Sequence, residues 1–345
     1  MRRPAYRRQM EPLESVASAL VWHPRGILAA DESIATMSAR LAAAGVAPTE
    51  ENRRAYREML VTTPGLSSGI SGVVLCDETL RQRLGDGRPF PAALGDLGLL
   101  PGVKVDKGAR PLPGAPGETV TEGLDGLLPR LREYHELGAV FAKWRAVLRI
   151  GAGQPSLLAV RANAQSLGRY AAACQEAGLV PIVEPEILMD GPHSLAQCAT
   201  VMSLVLLEVF SELREYGARL AAIVLKPNMA VPGRDAGASA SAGEIAEATL
   251  SALAGVPFTT AGVAFLSGGQ RPERATENLA AMQRLPHIWP LTFSFGRALM
   301  DPALAAWRGE PAGWAAGQRA LARRVSMNVA ALDGRYTPEL ELDPA

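Results

Sequence analysis

Short apolar runs rich in β-branched residues recur along the chain. They read GILAAD at 26–31, SGVVLCD at 71–77, LPGVKVDK at 100–107, AVFAKWRAVL at 139–148, LVPIVEPEI at 179–187, LAAIVLKPN at 220–228, AGVAFLSGG at 261–269 and WPLTFSFG at 289–296. Each has the length and content of a buried strand. Most are separated by stretches with the 3.6-residue apolar period and good helix formers, such as 156–178 and 194–217. Strands alternating with helices make βαβ units and a parallel sheet. Eight such units predict a (β/α)8 barrel occupying the whole chain as a single domain, with a doubly wound open sheet as the alternative. Two loops stand out: 109–126, rich in Pro and Gly, after the third strand, and 232–243, of flexible composition, after the sixth. Both belong on the face where a barrel carries its chemistry.

Composition narrows the function. The 35 basic and 35 acidic residues cancel. A balanced chain lacks the basic stripe that a general nucleic-acid binder needs to displace counterions, so no nucleic-acid partner is expected. No uninterrupted apolar run reaches membrane-spanning length, and no membrane partner is expected either. The basic start, MRRPAYRRQM, is followed by no apolar stretch and reads as a frayed end rather than a secretory signal, and residues 337–345 read as a C-terminal tail. Three scattered cysteines, Cys76, Cys174 and Cys198, suit buried thiols in a reducing, cytoplasmic setting. Four dispersed histidines make no zinc-ligand pair, and no metal is expected.

The basic residues themselves carry a sharper signal. Only Lys104, Lys107, Lys143 and Lys226 are lysines; the other basic residues are all arginine. An arginine cannot lose its proton in a protein and so cannot act as a nucleophilic amine, whereas a lysine can. Lys107, Lys143 and Lys226 fall in or at the ends of the candidate strands, among other charges that a barrel core would not tolerate without a reason. Asp31 ends the first strand and Lys107 the third. Lys143 and Arg145 lie in the fourth, Glu184 and Glu186 in the fifth, and Lys226 in the sixth. Residues two apart share a strand face, and adjacent strands are ~4.8 Å apart, so these charges converge. A structural ion-pair plug is the bland reading, but buried pairs stabilise weakly against their desolvation cost. Amine catalysis is the sharper one: a neutral lysine attacks a ketone to form a Schiff base while neighbouring carboxylates carry protons. Lys226 has the best local sequence for the nucleophile, closing an apolar strand before Pro227 and Asn228 turn the chain. SGG at 267–269 and GR at 296–297 end the last two strands, where this architecture often binds phosphate.

These segments resemble the class I fructose-bisphosphate aldolases. GILAADES, KVDKG, ETVTEGLDGL, FAKWRAVLRI, PIVEPEIL, LKPNM, FLSGGQ, TFSFGRAL and GRYTP occur in that family's order over nearly the whole chain. The resemblance implies reversible cleavage of fructose 1,6-bisphosphate, a phosphorylated sugar substrate, no cofactor, and a homo-oligomer, a homotetramer in the family. It implies that Lys226 forms the Schiff base, with Glu184 as acid/base, Glu186 beside the lysine, and Asp31 and Lys143 assisting. Ser267, Gly268 and Arg297 would hold the ketone-side phosphate. Ser33, Thr36 and Lys107 would hold the other, with Arg145 lining the cleft. The chain departs from the animal members in having Thr36 for Ser, Ala39 for Lys and Phe295 for Tyr, and in ending ELELDPA without their terminal Tyr. Fixed Glu184, water, Glu339 or Glu341 would then have to reprotonate the enamine. A related phosphorylated ketose as substrate, and a non-catalytic scaffold, are the alternatives.

Overall fold

A computed structural model describes residues 12–342. The described residues form ten strands: β1 Gly26–Ala30, β2 Ile70–Leu75, β3 Leu100–Lys104, β4 Ala109–Pro111, β5 Thr119–Thr121, β6 Phe141–Leu148, β7 Val180–Ile187, β8 Val224–Leu225, β9 Gly262–Phe265 and β10 Leu291–Phe295. Eight of them close into a parallel barrel in the order β1-β10-β9-β8-β7-β6-β3-β2. Closure is through β1, where Ile27 pairs with Gly72 on one side and Ser294 on the other. The expected barrel is therefore present, and each of the eight apolar runs contributes one barrel strand. The open sheet is excluded by the β1–β10 pairing.

Alternation of strand and helix has local causes. Side-chain caps start the long outer helices: Ser156 accepts from the Ala159 amide ahead of helix Leu157–Glu176. Ser194 with Gln197 and Ser241 with Glu244 form reciprocal capping boxes for helices Leu195–Glu215 and Ala242–Ala252. Helix Leu195–Glu215 is long and apolar enough, by length and composition alone, to cross a membrane. Its apolar content has another explanation: Met202, Leu206, Val209 and Leu213 are buried within the outer core.

The core divides in two. A large shell lies between strands and helices, and a smaller cluster fills the lower end of the barrel. In that lower cluster Leu13, Ala17 and Leu20 of helix Pro12–Leu20 pack with Ile27, Phe141, Ile182 and Val224. The Phe141 ring occupies the space beside Gly102, where an added Cβ would stand only 2.2 Å from it. Gly26 makes the same room for Phe293, at 2.3 Å. Apolar side chains thus plug one end, and the charged residues are left at the other.

Three details differ from the sequence expectations. β3 stops at Lys104, so Lys107 lies beyond it rather than ending it. The Pro/Gly-rich segment 109–126 contains the antiparallel β4–β5 hairpin, extended by the Lys107 amide to Glu122 O (2.8 Å). The Asn163 side chain pins it, accepting from Thr121 N (3.2 Å) and donating to Thr119 O (2.8 Å). Segment 232–240 has no regular structure, but the amides of Gly233, Arg234 and Asp235 bond back to the loop after β7. The expectation of a frayed start concerns residues that lie outside those described. All three cysteines are buried free thiols.

Candidate active site

A cavity of about 670 Å³ opens at the C-terminal end of the barrel strands. All twelve residues singled out from the sequence line it. The lower plug closes the other end, so the cavity is a pit rather than a channel.

At its base, four charged side chains form one connected group. Lys143 Nζ is 2.7 Å from Asp31 Oδ2 and 2.9 Å from Glu184 Oε2. Lys226 Nζ is 3.1 Å from Glu184 Oε1. Strand register produces this arrangement. Arg145 on β6 lies opposite Glu184 on β7, and the Lys226 amide donates to Val183 O (2.8 Å), continuing the β7–β8 ladder past β8. The four are nearly inaccessible, with Lys143, Glu184 and Lys226 each 3 % exposed. Burial alone would push the Asp31 carboxyl up, but Lys143 and Lys226 outweigh it and hold it at about 2. Burial likewise opposes the charge on Glu184, and Lys143, Lys226 and Arg145 keep that carboxyl below its usual range. Burial opposes the charge on Lys143 too, yet Asp31, Glu184 and Asp106 raise it, so Lys143 is a fixed cation. Higher on the same strands, Arg145 Nε donates to Glu186 Oε2 (2.6 Å).

Glycines and open helix starts shape one side of the mouth. Gly268 has φ +59° and Gly269 φ +81°, a left-handed pair that turns the chain after β9. Ser267 and Gly268 line the cavity there. Arg297 begins helix Arg297–Trp307, which has no side-chain cap, so its first amides remain for another acceptor. Opposite, Ser33 caps helix Ile34–Ala43 through Thr36 N (3.2 Å), and the Ser33 and Thr36 hydroxyls are 3.0 Å apart. Arg40 of that helix reaches the cavity wall and pairs with Glu32, whereas Ala39 does not line it. The lost lysine at position 39 therefore does not leave this end without a cation. Lys107 is exposed at the rim, and Lys104 lies deeper.

Sequence reasoning missed three contributors. Asp106 is buried; its Oδ1 accepts from Lys104 Nζ (2.6 Å) and Gly108 N (3.1 Å), and its Oδ2 accepts from Arg145 N (3.2 Å). It ties the β3 end to β6. The signal was present in KVDK, where Asp106 stands two residues from Lys104. Ser294 on β10 is buried, lines the cavity, and has no partner for its hydroxyl among the described residues. Its spacing of two from Gly296 was the clue. Arg57, fully buried, donates to Ala30 O (3.2 Å) and Glu32 O (2.8 Å), the carbonyls on either side of Asp31. No feature of the polar stretch ENRRAYRE distinguishes it.

A closed parallel barrel with a buried lysine against a carboxylate at the base of its C-terminal cavity, and a glycine turn at the mouth, has the form of a barrel enzyme suited to amine chemistry. Comparison with known proteins gives the particular kind. The family described as fructose-bisphosphate aldolase class-I matches residues 12–344. A probable fructose-bisphosphate aldolase class 1 of Xanthomonas campestris is 48% identical over 330 residues, covering 95% of this chain and 99% of that protein. Cytosolic fructose-bisphosphate aldolase 5 of Arabidopsis thaliana is 49% identical over 316 residues, covering 91% and 88%. Among solved structures, fructose-bisphosphate aldolase from Plasmodium falciparum, in a ternary complex with TRAP and a small-molecule inhibitor, superimposes with a TM-score of 0.93. It is 44% identical and covers 95% of each chain. This chain belongs to the class I fructose-bisphosphate aldolase family.

Proposed function

We propose that the chain carries out its aldolase reaction through an iminium on Lys226, cleaving fructose 1,6-bisphosphate reversibly to dihydroxyacetone phosphate and glyceraldehyde 3-phosphate. The observation that carries this reading is the 3.1 Å contact between the buried Lys226 Nζ and Glu184 side chains at the base of the pit. Glu184 takes a proton from the Lys226 ammonium, the freed amine adds to the C2 ketone, and the same proton handed back by Glu184 to the carbinolamine hydroxyl lets it leave as water, giving the iminium. A carboxylate takes the C4 hydroxyl proton; the C3–C4 bond breaks, its electron pair enters the iminium, and an enamine remains as the aldehyde departs. Protonation at C3 and addition of water then release dihydroxyacetone phosphate and restore the amine. Glu184, which contacts both lysines, is the acid/base, and Glu186 beside Arg145 assists. Lys143, a fixed cation, stabilises the oxygen on which negative charge grows, and Asp31 orients it.

Ser267, Gly268 and Arg297 take the ketone-side phosphate; Ser33, Thr36 and Lys107 take the other, with Arg145 between. Lys107, exposed at the rim beside the Ser33 and Thr36 hydroxyls, favours a bisphosphate over a ketose with one phosphate. Comparing kcat/KM on fructose 1,6-bisphosphate with that on fructose 1-phosphate tests this: a preference of at least about tenfold for the bisphosphate is expected from one extra charge-assisted phosphate contact. Equal values would favour the related-ketose reading. The intact charged group speaks against a non-catalytic scaffold.

The whole chain acts as one domain, in the cytoplasm, as a homo-oligomer. Buried free thiols and the cytosolic plant relatives support the location. Trp22, Phe258 and Ile288 are exposed at 64%, 78% and 67% in the segments leading into β1, β9 and β10, three adjacent barrel strands, and support self-association. Light scattering of the purified protein checks the oligomer; a monomer at all concentrations would overturn it.

A further inference from the structure

The loops after β7 and β8 are zipped together beside the glycine turn that follows β9, just outside the lining of the pit. Arg234 N donates to Met189 O (2.7 Å), Gly233 N to His193 O (2.7 Å) and Asp235 N to Gly191 O (3.0 Å). The approach is so close that a Cβ on Gly233 would stand 2.0 Å from Gly191 O, so only glycine fits there. This zipper fixes the backbone of Arg234, and its side chain reaches the glycine turn after β9. A Cβ placed on Gly269 would meet Arg234 Nη2 at 3.4 Å and Arg297 Nη2 also at 3.4 Å, with Met189 Cε at 3.9 Å. Two guanidinium groups therefore converge on one glycine of the SGG turn.

Their charges are poorly answered within the protein. Arg297 has no ion pair among the described residues. Arg234 has Asp190, with Nε to Oδ1 at 4.0 Å, and Arg149 is also 4.0 Å from that carboxylate. Two guanidiniums flanking one turn favour an anion there, and a phosphate dianion has the charge and the oxygens to engage both forks.

We infer that Arg234 is a second guanidinium for the ketone-side phosphate, closing over the SGG turn from the β8 loop and working with Arg297 to select phosphorylated ketones. The inference rests on the assignment of Ser267, Gly268 and Arg297 to that phosphate. With its side chain 60% exposed, Arg234 contributes a contact that salt screens, whereas the groups deeper in the pit are less affected.

The test is binding of dihydroxyacetone phosphate, and competition by inorganic phosphate, in the wild-type enzyme and the Arg234→Ala, Arg234→Lys and Arg297→Ala variants. Arg234→Ala should weaken both by about fivefold, with Arg234→Lys recovering part of the loss. The loss should shrink when salt is raised to about 0.5 M, and in steady state it should fall on KM rather than kcat. If Arg297→Ala weakens binding while Arg234→Ala stays within about 1.5-fold of wild type, Arg234 is not a phosphate ligand. A loss that falls on kcat, or that salt does not touch, overturns it equally. If Arg297→Ala also binds normally, the phosphate assignment itself is wrong and the inference falls with it.

Discussion

The Lys226 amine and the Glu184 carboxylate lie 3.1 Å apart at the bottom of the pit, while the other oxygen of Glu184 lies 2.9 Å from Lys143. One carboxylate therefore stands between a lysine read as nucleophile and a lysine held permanently charged. Glu184→Gln keeps the shape but removes the proton carrier and leaves two buried ammonium groups with less compensation. It should lower kcat by at least about 100-fold, the range for loss of a general acid/base. Steady-state cleavage assays read this directly, and a variant within tenfold of wild type would take Glu184 out of the proton transfers.

Asp31 should give the enzyme an acid-sensitive component of stability. Its folded pKa of about 2 lies below the ordinary aspartate value, so between about pH 4 and pH 2 the unfolded chain binds the extra proton. Stability from this group is complete above that window and is lost as pH falls through it, in all about 2.5 kcal/mol. Denaturant unfolding of wild type and Asp31→Asn should therefore show a stability difference that shifts in favour of the variant as pH drops from 4 towards 2. A difference independent of pH would contradict the assignment of the low pKa to Asp31.

Arg57 is a positioning residue for Asp31, because it holds the carbonyls of Ala30 and Glu32 on either side of it. Arg57→Met should destabilise the protein by about 2–4 kcal/mol through the lost charged hydrogen bonds. If its role were only structural, the folded fraction would turn over normally. The expected outcome is instead a fall in kcat larger than the change in KM, partly restored in Arg57→Lys.

The C-terminal segment is fastened away from the pit. Glu341 receives Arg324 Nη1 at 2.7 Å on both oxygens, the Tyr336 hydroxyl donates to it (3.1 Å), and Arg284 donates to Tyr336 O (3.2 Å). None of the described residues after 332 lines the cavity. Glu341 is thus committed to the outer helices and Glu339 lies outside the cavity lining, and under the proposed mechanism the proton for the enamine comes from Glu184 or water. Deleting residues 337–345 should leave cleavage and proton exchange on dihydroxyacetone phosphate within about threefold at 25 °C. It should lower unfolding stability by about 3 kcal/mol, since Arg324 is left buried without its carboxylate. A selective fall in exchange would show that the tail donates the proton after all.

The barrel and its base were legible because charge inside an apolar strand is conspicuous. Asp31, Lys143, Glu184 and Lys226 each interrupt or end a run of Val, Ile, Leu and Ala, and strand periodicity then aligns them. Asp106 and Ser294 were harder: one sits in a loop between two lysines that drew the attention, and a serine in a buried strand is ordinary. Arg57 was invisible, since a polar helix such as Glu50–Val61 reads as a solvated face until the fold buries two of its arginines, Arg53 and Arg57. The β4–β5 hairpin was hidden by the Pro and Gly around Thr119–Thr121, and what fixes it is a distant side chain, Asn163. Convergence of Arg234 with Arg297 depends on two loops meeting in space, a relationship no spacing along the chain encodes.

Covalent capture tests the central claim most directly. Borohydride added to the enzyme with dihydroxyacetone phosphate should reduce the iminium to a stable amine and leave the added mass on the single peptide containing Lys226. Lys226→Arg should show neither the label nor cleavage, because a guanidinium keeps its proton and cannot attack the ketone. Labelling of Lys143, Lys104 or Lys107 instead, or full cleavage activity with no label on any lysine, would contradict the account.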